Sequence, residues 1–104
     1  MLNHVSVMGR LTADPRFNQT NGGVNVASFT LACDRDYGRD GADFFDVVAW
    51  RGTAEFADKY LHKGQRVVID GRLQLRKWTD NDGKERRAVE IVAESIYFAD
   101  SPRD

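Results

Sequence analysis

Two tryptophans and a local run of cations are the residues of this chain best equipped for chemistry, and the chemistry they offer is non-covalent. RLQLRKWTDNDGKERR, from Arg72 to Arg87, holds six basic residues and three acidic ones. It is net +3 in a chain of net charge −1, which leaves the remainder at −4. Trp78 sits in the middle of it. A flat ring on the wet face of a strand supplies what an unpaired nucleobase lacks, a partner to stack on, worth about 1–3 kcal/mol per base. Arginine and lysine beside such a ring neutralise phosphates and release counterions, which makes binding salt-dependent. A duplex hides its base faces, so a surface of this kind favours single strands.

Strand parity selects the other members. In RVVIDGRLQLRKW the odd positions Val67, Ile69, Leu73 and Leu75 form an apolar face, and the even positions Arg66, Asp70, Arg72, Gln74, Arg76 and Trp78 form the wet one. A slip of one residue would put every leucine in water, so this register is strongly specified. In FFDVVAW the residues Phe45, Val47 and Ala49 read as core, leaving Phe44 and Trp50 outside. Tyr37, between Arg35 and Arg39, is a fourth stacking candidate. The phosphate candidates are Arg35, Arg72, Arg76, Lys77, Lys84, Arg86 and Arg87. Lys77 is the odd one, because its parity points it with the leucines. Any single ring on a second strand face is about as often covered by a helix, a loop or a subunit, and cations at a hairpin tip are usually just solvated. Three rings on adjacent strands with arginines among them favour binding. Asp80-Asn81-Asp82-Gly83 is a tight hairpin turn, with Asp82-Gly83 at the φ > 0 positions, since the remaining ligands of a calcium loop are absent.

The elements that must position these residues are mostly strands. Period-2 alternation marks HVSVMGRL, VASFTLAC, FFDVVAWR, GQRVVIDGRLQLRKW and RRAVEIVAESIYF. TAEFADKYLHKG instead spaces Phe56, Tyr60 and Leu61 with Ala54 and Ala57 for one face of a short helix, with Thr53 as its cap and Lys63-Gly64 as its end. Gly9 and Gly71, inside strand patterns, mark sharp bends or bulges. The expectation is one domain over 1–104, all-β: a five-stranded barrel of the oligonucleotide/oligosaccharide-binding (OB-fold) type, with one short helix between strands 3 and 4.

Composition limits the alternatives. The chain is too short for two cores. It has no apolar run of the roughly 20 residues a membrane helix needs and no secretory signal pattern at its start. Its lone cysteine, Cys33, fits a reducing compartment, so a cytoplasmic protein is expected. No enzyme, metal or cofactor is expected. His4 and His62 fall in unrelated elements, and Asp34, Asp36, Asp43 and Asp46 sit in a loop-like stretch without histidine or lysine support.

At RKWTDNDG the chain resembles the DNA-binding domain of bacterial single-stranded DNA-binding proteins. The likeness runs through VSVMGRL with DPRF, NGG before VASFTLA, FFDVVAWR with TAEFADKYLHKG, KGQRVVIDGRL, RKWTDNDGK and a last strand ending VAESIYF. It implies that Tyr37, Phe44, Trp50 and Trp78 stand at base-stacking positions, although well-known members carry tryptophan at the first two. Arg76, Lys77 and Arg86 fall at basic positions of the family. It further implies a homotetramer, with residues around His4 to Met8 and Tyr97 or Phe98 as interface surface. The implied role is sequence-independent protection of single-stranded DNA in replication, recombination and repair, near the nucleoid. Such proteins usually continue into a linker and an acidic tail that recruits replication and repair proteins, whereas this sequence ends at FADSPRD, so those partners are expected only if a tail exists. Two other readings share the features: a protein-docking barrel of the primosome type with its rings buried in an interface, and an RNA-binding barrel, since stacking accepts either sugar.

Overall fold

The structure is a computed structural model and describes residues 2–35 and 41–100. Six strands and one helix follow in the order β1 (Val5–Leu11), β2 (Arg16–Gln19), β3 (Asn25–Asp34), β4 (Ala42–Trp50), α1 (Gly52–Tyr60), β5 (Arg66–Thr79) and β6 (Glu85–Phe98). Five of the strands form a ring, β1-β5-β6-β4-β3, closed by pairing of Arg10 with Ala32 and Leu11 with Leu31 between β1 and β3. All neighbours are antiparallel except β4 and β6, which run parallel at Val47–Ile91 and Val48–Val92. This is the expected five-stranded OB-fold arrangement, with the helix between the third and fourth strands of the ring. The sixth strand, β2, is too short to alternate visibly, and it pairs along β3 from Arg16–Ser28 to Gln19–Asn25.

The ring encloses the side chains that period 2 assigns to it. Leu11, Leu31, Val47, Val67, Ile69 and Ile91 are fully buried, and α1 adds Ala54, Ala57 and the adjoining Leu61. The helix begins one residue before the expected cap. Arg51, not Thr53, is the N-cap, with φ +57° and no side-chain capping bond, and Leu61 closes the other end. Tyr60 stays exposed and stacks obliquely on Phe56 at 5.1 Å. Among the described residues no helix is long and apolar enough to cross a membrane.

The bulge matters most for function. At Asp70/Gly71 the β5–β6 register shifts, and a Cβ on Gly71 would fall on the Val92 carbonyl. Only glycine lets the two backbones approach so closely. Beyond the bulge, and past the Ile91 and Val92 pairings with β4, Leu73–Thr79 and Glu85–Glu90 leave the barrel as a two-stranded arm. Here the alternation misleads. Leu73 and Leu75 keep core parity, yet the arm has left the core, and they are exposed together with Val89, the cross-strand partner of Leu75. At the arm's tip Gly83 alone has positive φ (+79°); Asp82 does not. The turn is instead organised by Asp80, whose Oδ1 accepts the Asp82 and Lys84 backbone N–H groups at 2.9 Å each.

Candidate nucleic-acid interface

The outward face of β4 carries Phe44, Asp46, Val48 and Trp50, and the cross-strand pairs Thr30–Asp46, Ser28–Val48 and Val26–Trp50 extend that face onto β3. The arm's front face borders it. Together they make an open groove of about 460 Å³, lined by Val26, Val48, Asp46 and Trp50 of the sheet, Arg16 of β2, and Arg76 and Glu90 of the arm. The rings are accessible to different degrees: Phe44 is 65% exposed, Trp50 40% and Trp78 38%. Phe44 and Trp50 lie six residues apart on one strand face, a span of about 20 Å.

Trp78 stands further along the arm, opposite Arg86. The Arg76 guanidinium lies over its ring, 4.3 Å from the centroid, a cation–π contact. Arg76 Nε is also 3.6 Å from Glu90 Oε2, and Gln74 Nε2 donates to Glu90 Oε1 at 3.1 Å. Gln74 in turn accepts from Arg72 Nη1 at 3.3 Å. Arg72, Gln74, Glu90, Arg76 and Trp78 therefore form one connected row along the front of the arm.

The candidate cations are divided by the pleat. Arg72, Arg76 and Arg86 share the face of Trp78, whereas Lys77 and Arg87 oppose each other on the back face with Leu75 and Val89. Several already have carboxylate partners. Arg86 Nε donates to Asp80 Oδ2 at 2.7 Å, Arg87 lies 3.9 Å from Glu85, and Arg35 donates to Asp43 Oδ1 through Nε and Nη2 at 3.0 and 2.8 Å. The bond from Arg86, together with the two backbone donors in the turn, holds the Asp80 carboxyl below the ordinary aspartate range. Lys84 is at the tip, its side chain without a carboxylate in reach among the described residues. Tyr37, the remaining ring candidate, lies outside the described residues, as do Asp36, Arg39 and Asp40.

Two groove residues have no signal in the sequence reading. Glu90 sits in an ordinary V-E-I alternation, and only the cross-strand register reveals that it faces Gln74 beside Arg76. Arg16 belongs to the short β2 and reaches the groove because it pairs with Ser28. Asp43 and Asp46 also prove to be strand residues of β4 rather than loop residues. Asp46 accepts from Thr30 Oγ1 at 3.1 Å, so its carboxylate is fixed in the groove.

One other constellation resembles catalytic machinery. Ser6 Oγ donates to Asp70 on the outer face of β1 and β5, and His4 Nε2 lies 3.4 Å from both Ser6 Oγ and Asp70 Oδ1. A nucleophile relay needs the carboxylate on the imidazole nitrogen away from the hydroxyl. Here one nitrogen faces both groups, and the carboxylate occupies the hydroxyl directly. Among the described residues no group of three or more metal-ligating side chains converges.

Comparison with known proteins agrees with this geometry. The profile of the single-strand binding protein family matches residues 2–99. The chain is 44% identical to "Single-stranded DNA-binding protein 3" of Listeria innocua serovar 6a, an alignment covering all of this chain and 68% of the relative. It is 46% identical to "Single-stranded DNA-binding protein 2" of Listeria monocytogenes serovar 1/2a, over 94% of this chain and 64% of the relative. "Single-stranded DNA-binding protein 1" of Staphylococcus aureus strain MSSA476 is 44% identical over 94% of this chain and 65% of its own length. The chain thus spans about two thirds of the length of these relatives. Fold, profile match and identity lead to one conclusion: this chain belongs to the single-strand binding protein family, a family of binding proteins and not of enzymes.

Proposed function

We propose that this chain binds single-stranded DNA without sequence preference. Bases stack on Trp50, Trp78 and Phe44, with Tyr37 as a further ring. Phosphates are neutralised by Arg72 and Arg86 on the face of Trp78 and by Lys84 at the tip. Arg76 lies among the rings, and Arg35, Lys77 and Arg87 add charge from outside that face. The observation that carries the reading is the groove itself. It is lined by the exposed Trp50 together with Arg76, whose guanidinium lies over the exposed Trp78 of the adjoining arm. Every base has a π-face, so rings of this kind accept any sequence. The names of the relatives, each a single-stranded DNA-binding protein, support the same substrate.

The working unit is a homotetramer. β1 is hydrogen-bonded to β5 from Val5 to Arg10 but meets β3 only at Arg10 and Leu11, which leaves the other edge at Val5–Gly9 without a strand partner among the described residues. An open edge is a template for pairing with a second chain. Met8, Val68 and Tyr97 adjoin one another on the outer face beside it, with Met8 and Tyr97 more than half exposed. In the cell this assembly coats single strands exposed in replication, recombination and repair, in the cytoplasm at the nucleoid. Recruitment of other replication and repair proteins is assigned only to a full-length protein that carries an acidic tail.

Fluorescence anisotropy of a labelled oligo-dT, with a duplex of equal length and the matching RNA as competitors, tests the reading. Salt-sensitive binding to the oligonucleotide and weak competition by duplex are expected. Absence of binding at low salt would leave the groove to a protein partner, as in a docking barrel.

A further inference from the structure

Glu90 is an anion in a groove read as a polyanion site, and its position needs a reason. It is not solvated at random: its side chain is 13% exposed, clamped between the Gln74 amide at 3.1 Å and Arg76 Nε at 3.6 Å. Arg76 is 48% exposed and carries three freely rotating methylenes, so without a partner its guanidinium would sample many rotamers. Two contacts define its place, the Trp78 ring at 4.3 Å and the Glu90 carboxylate. Gln74, cross-strand from Glu90 in the β5–β6 register, fixes the carboxylate in turn.

We infer that Glu90 is a positioning residue for DNA binding, which holds the Arg76 guanidinium over Trp78 so that ring and guanidinium form a prebuilt two-layer stacking surface beside the groove. This rests on the reading of the groove as a single-stranded DNA site, and deepens it. A guanidinium plane accepts a nucleobase much as an aromatic ring does, and a side chain ordered before binding does not have to be ordered by it. Arg76 is then chiefly a stacking element, with its charge already matched by Glu90, and not a free phosphate ligand like Arg72.

The sign of one substitution separates this role from simple electrostatics. If Glu90 were merely a misplaced anion, Glu90→Gln would tighten binding to oligo-dT. As a positioning residue its loss weakens binding, by roughly fivefold at about 0.3 M salt, where the Debye length is short and repulsion between carboxylate and phosphates is screened. Arg76→Lys keeps the charge and loses the plane, so it weakens binding with the salt slope unchanged. In an Arg76→Gln background, Glu90→Gln has no further effect, because Glu90 acts through Arg76. Glu90→Gln also alters tryptophan emission of the free protein, since the guanidinium leaves the Trp78 face, while thermal stability stays that of the parent. Unchanged or tighter binding by Glu90→Gln at that salt overturns the inference. So does an equal loss in the Arg76→Gln background. Failure of the parent protein itself to bind oligo-dT would instead count against the DNA-binding reading.

Discussion

Lys77 and Arg87 are directly opposite each other across the arm, on the face that Trp78 does not use. Like charges in that relation are destabilising, and Glu85, 3.9 Å from Arg87, offsets only one of them. Lys77→Gln should therefore raise stability by a few tenths of a kcal/mol in urea denaturation. It should also cost less DNA affinity than Arg72→Gln, because its side chain points away from the groove. A larger affinity loss for Lys77 than for Arg72 would mean that the strand runs along the back of the arm.

Arg72 and Trp78 are predicted to fail in different ways. Arg72 bonds only to Gln74 and has no carboxylate in ion-pair reach among the described residues. Arg72→Ala should reduce the slope of log K against log salt by about 0.7, one phosphate contact on a single strand. Trp78→Ala should cost about 1–3 kcal/mol of affinity and leave the slope unchanged. Titrations at four salt concentrations distinguish the two.

The arm's tip carries a pH dependence. Asp80 is held below the ordinary aspartate range first by the Arg86 bond and then by the Lys84 and Asp82 backbone N–H groups. Because the folded value is depressed, its stabilisation of the turn is fully present above the ordinary range and is lost as pH falls through the depressed value. Amide hydrogen exchange at Asp82 and Lys84 should accelerate in that acid window relative to the intrinsic rate. Asp80→Asn should abolish the pH dependence and show faster exchange at neutral pH.

Gly71 sets where the arm departs. A methyl at that position would collide with the Val92 carbonyl, which belongs to the backbone and cannot rotate away. Gly71→Ala should destabilise by about 1–3 kcal/mol, the range for an overpacked site. Since the arm's exit angle depends on the same approach, DNA affinity should fall as well. Urea denaturation and oligo-dT binding measured on one preparation check both effects.

The barrel was legible in the sequence because its strands bury one face, and Val5, Val7, Val67, Ile69 and Val47 announce that with period 2. Trp50 and Trp78 were legible for the same reason, as large rings on the wrong parity. The signal fails where burial ends. Leu73 and Leu75 keep the alternation beyond the Gly71 bulge, where there is no core to enter, so their parity predicts a side and not an environment. β2 is too short to display a period. Thr53 is a good cap by type, but the chain enters α1 through Arg51, a conformation no local preference predicts. Glu90 and Arg16 matter only through cross-strand register, a relation between distant segments that one strand's pattern cannot carry.

On the DNA-binding reading Trp50 and Trp78 both lie under DNA bases, Trp50 in the groove and Trp78 on the arm that adjoins it. Intrinsic fluorescence of Trp50→Phe and Trp78→Phe, each titrated with oligo-dT, tests it most directly, because each variant reports on one remaining tryptophan. Strong, saturable, salt-sensitive quenching is expected in both. Emission that stays unchanged in both variants while the oligonucleotide is demonstrably bound would contradict it, and would place the DNA elsewhere on the protein.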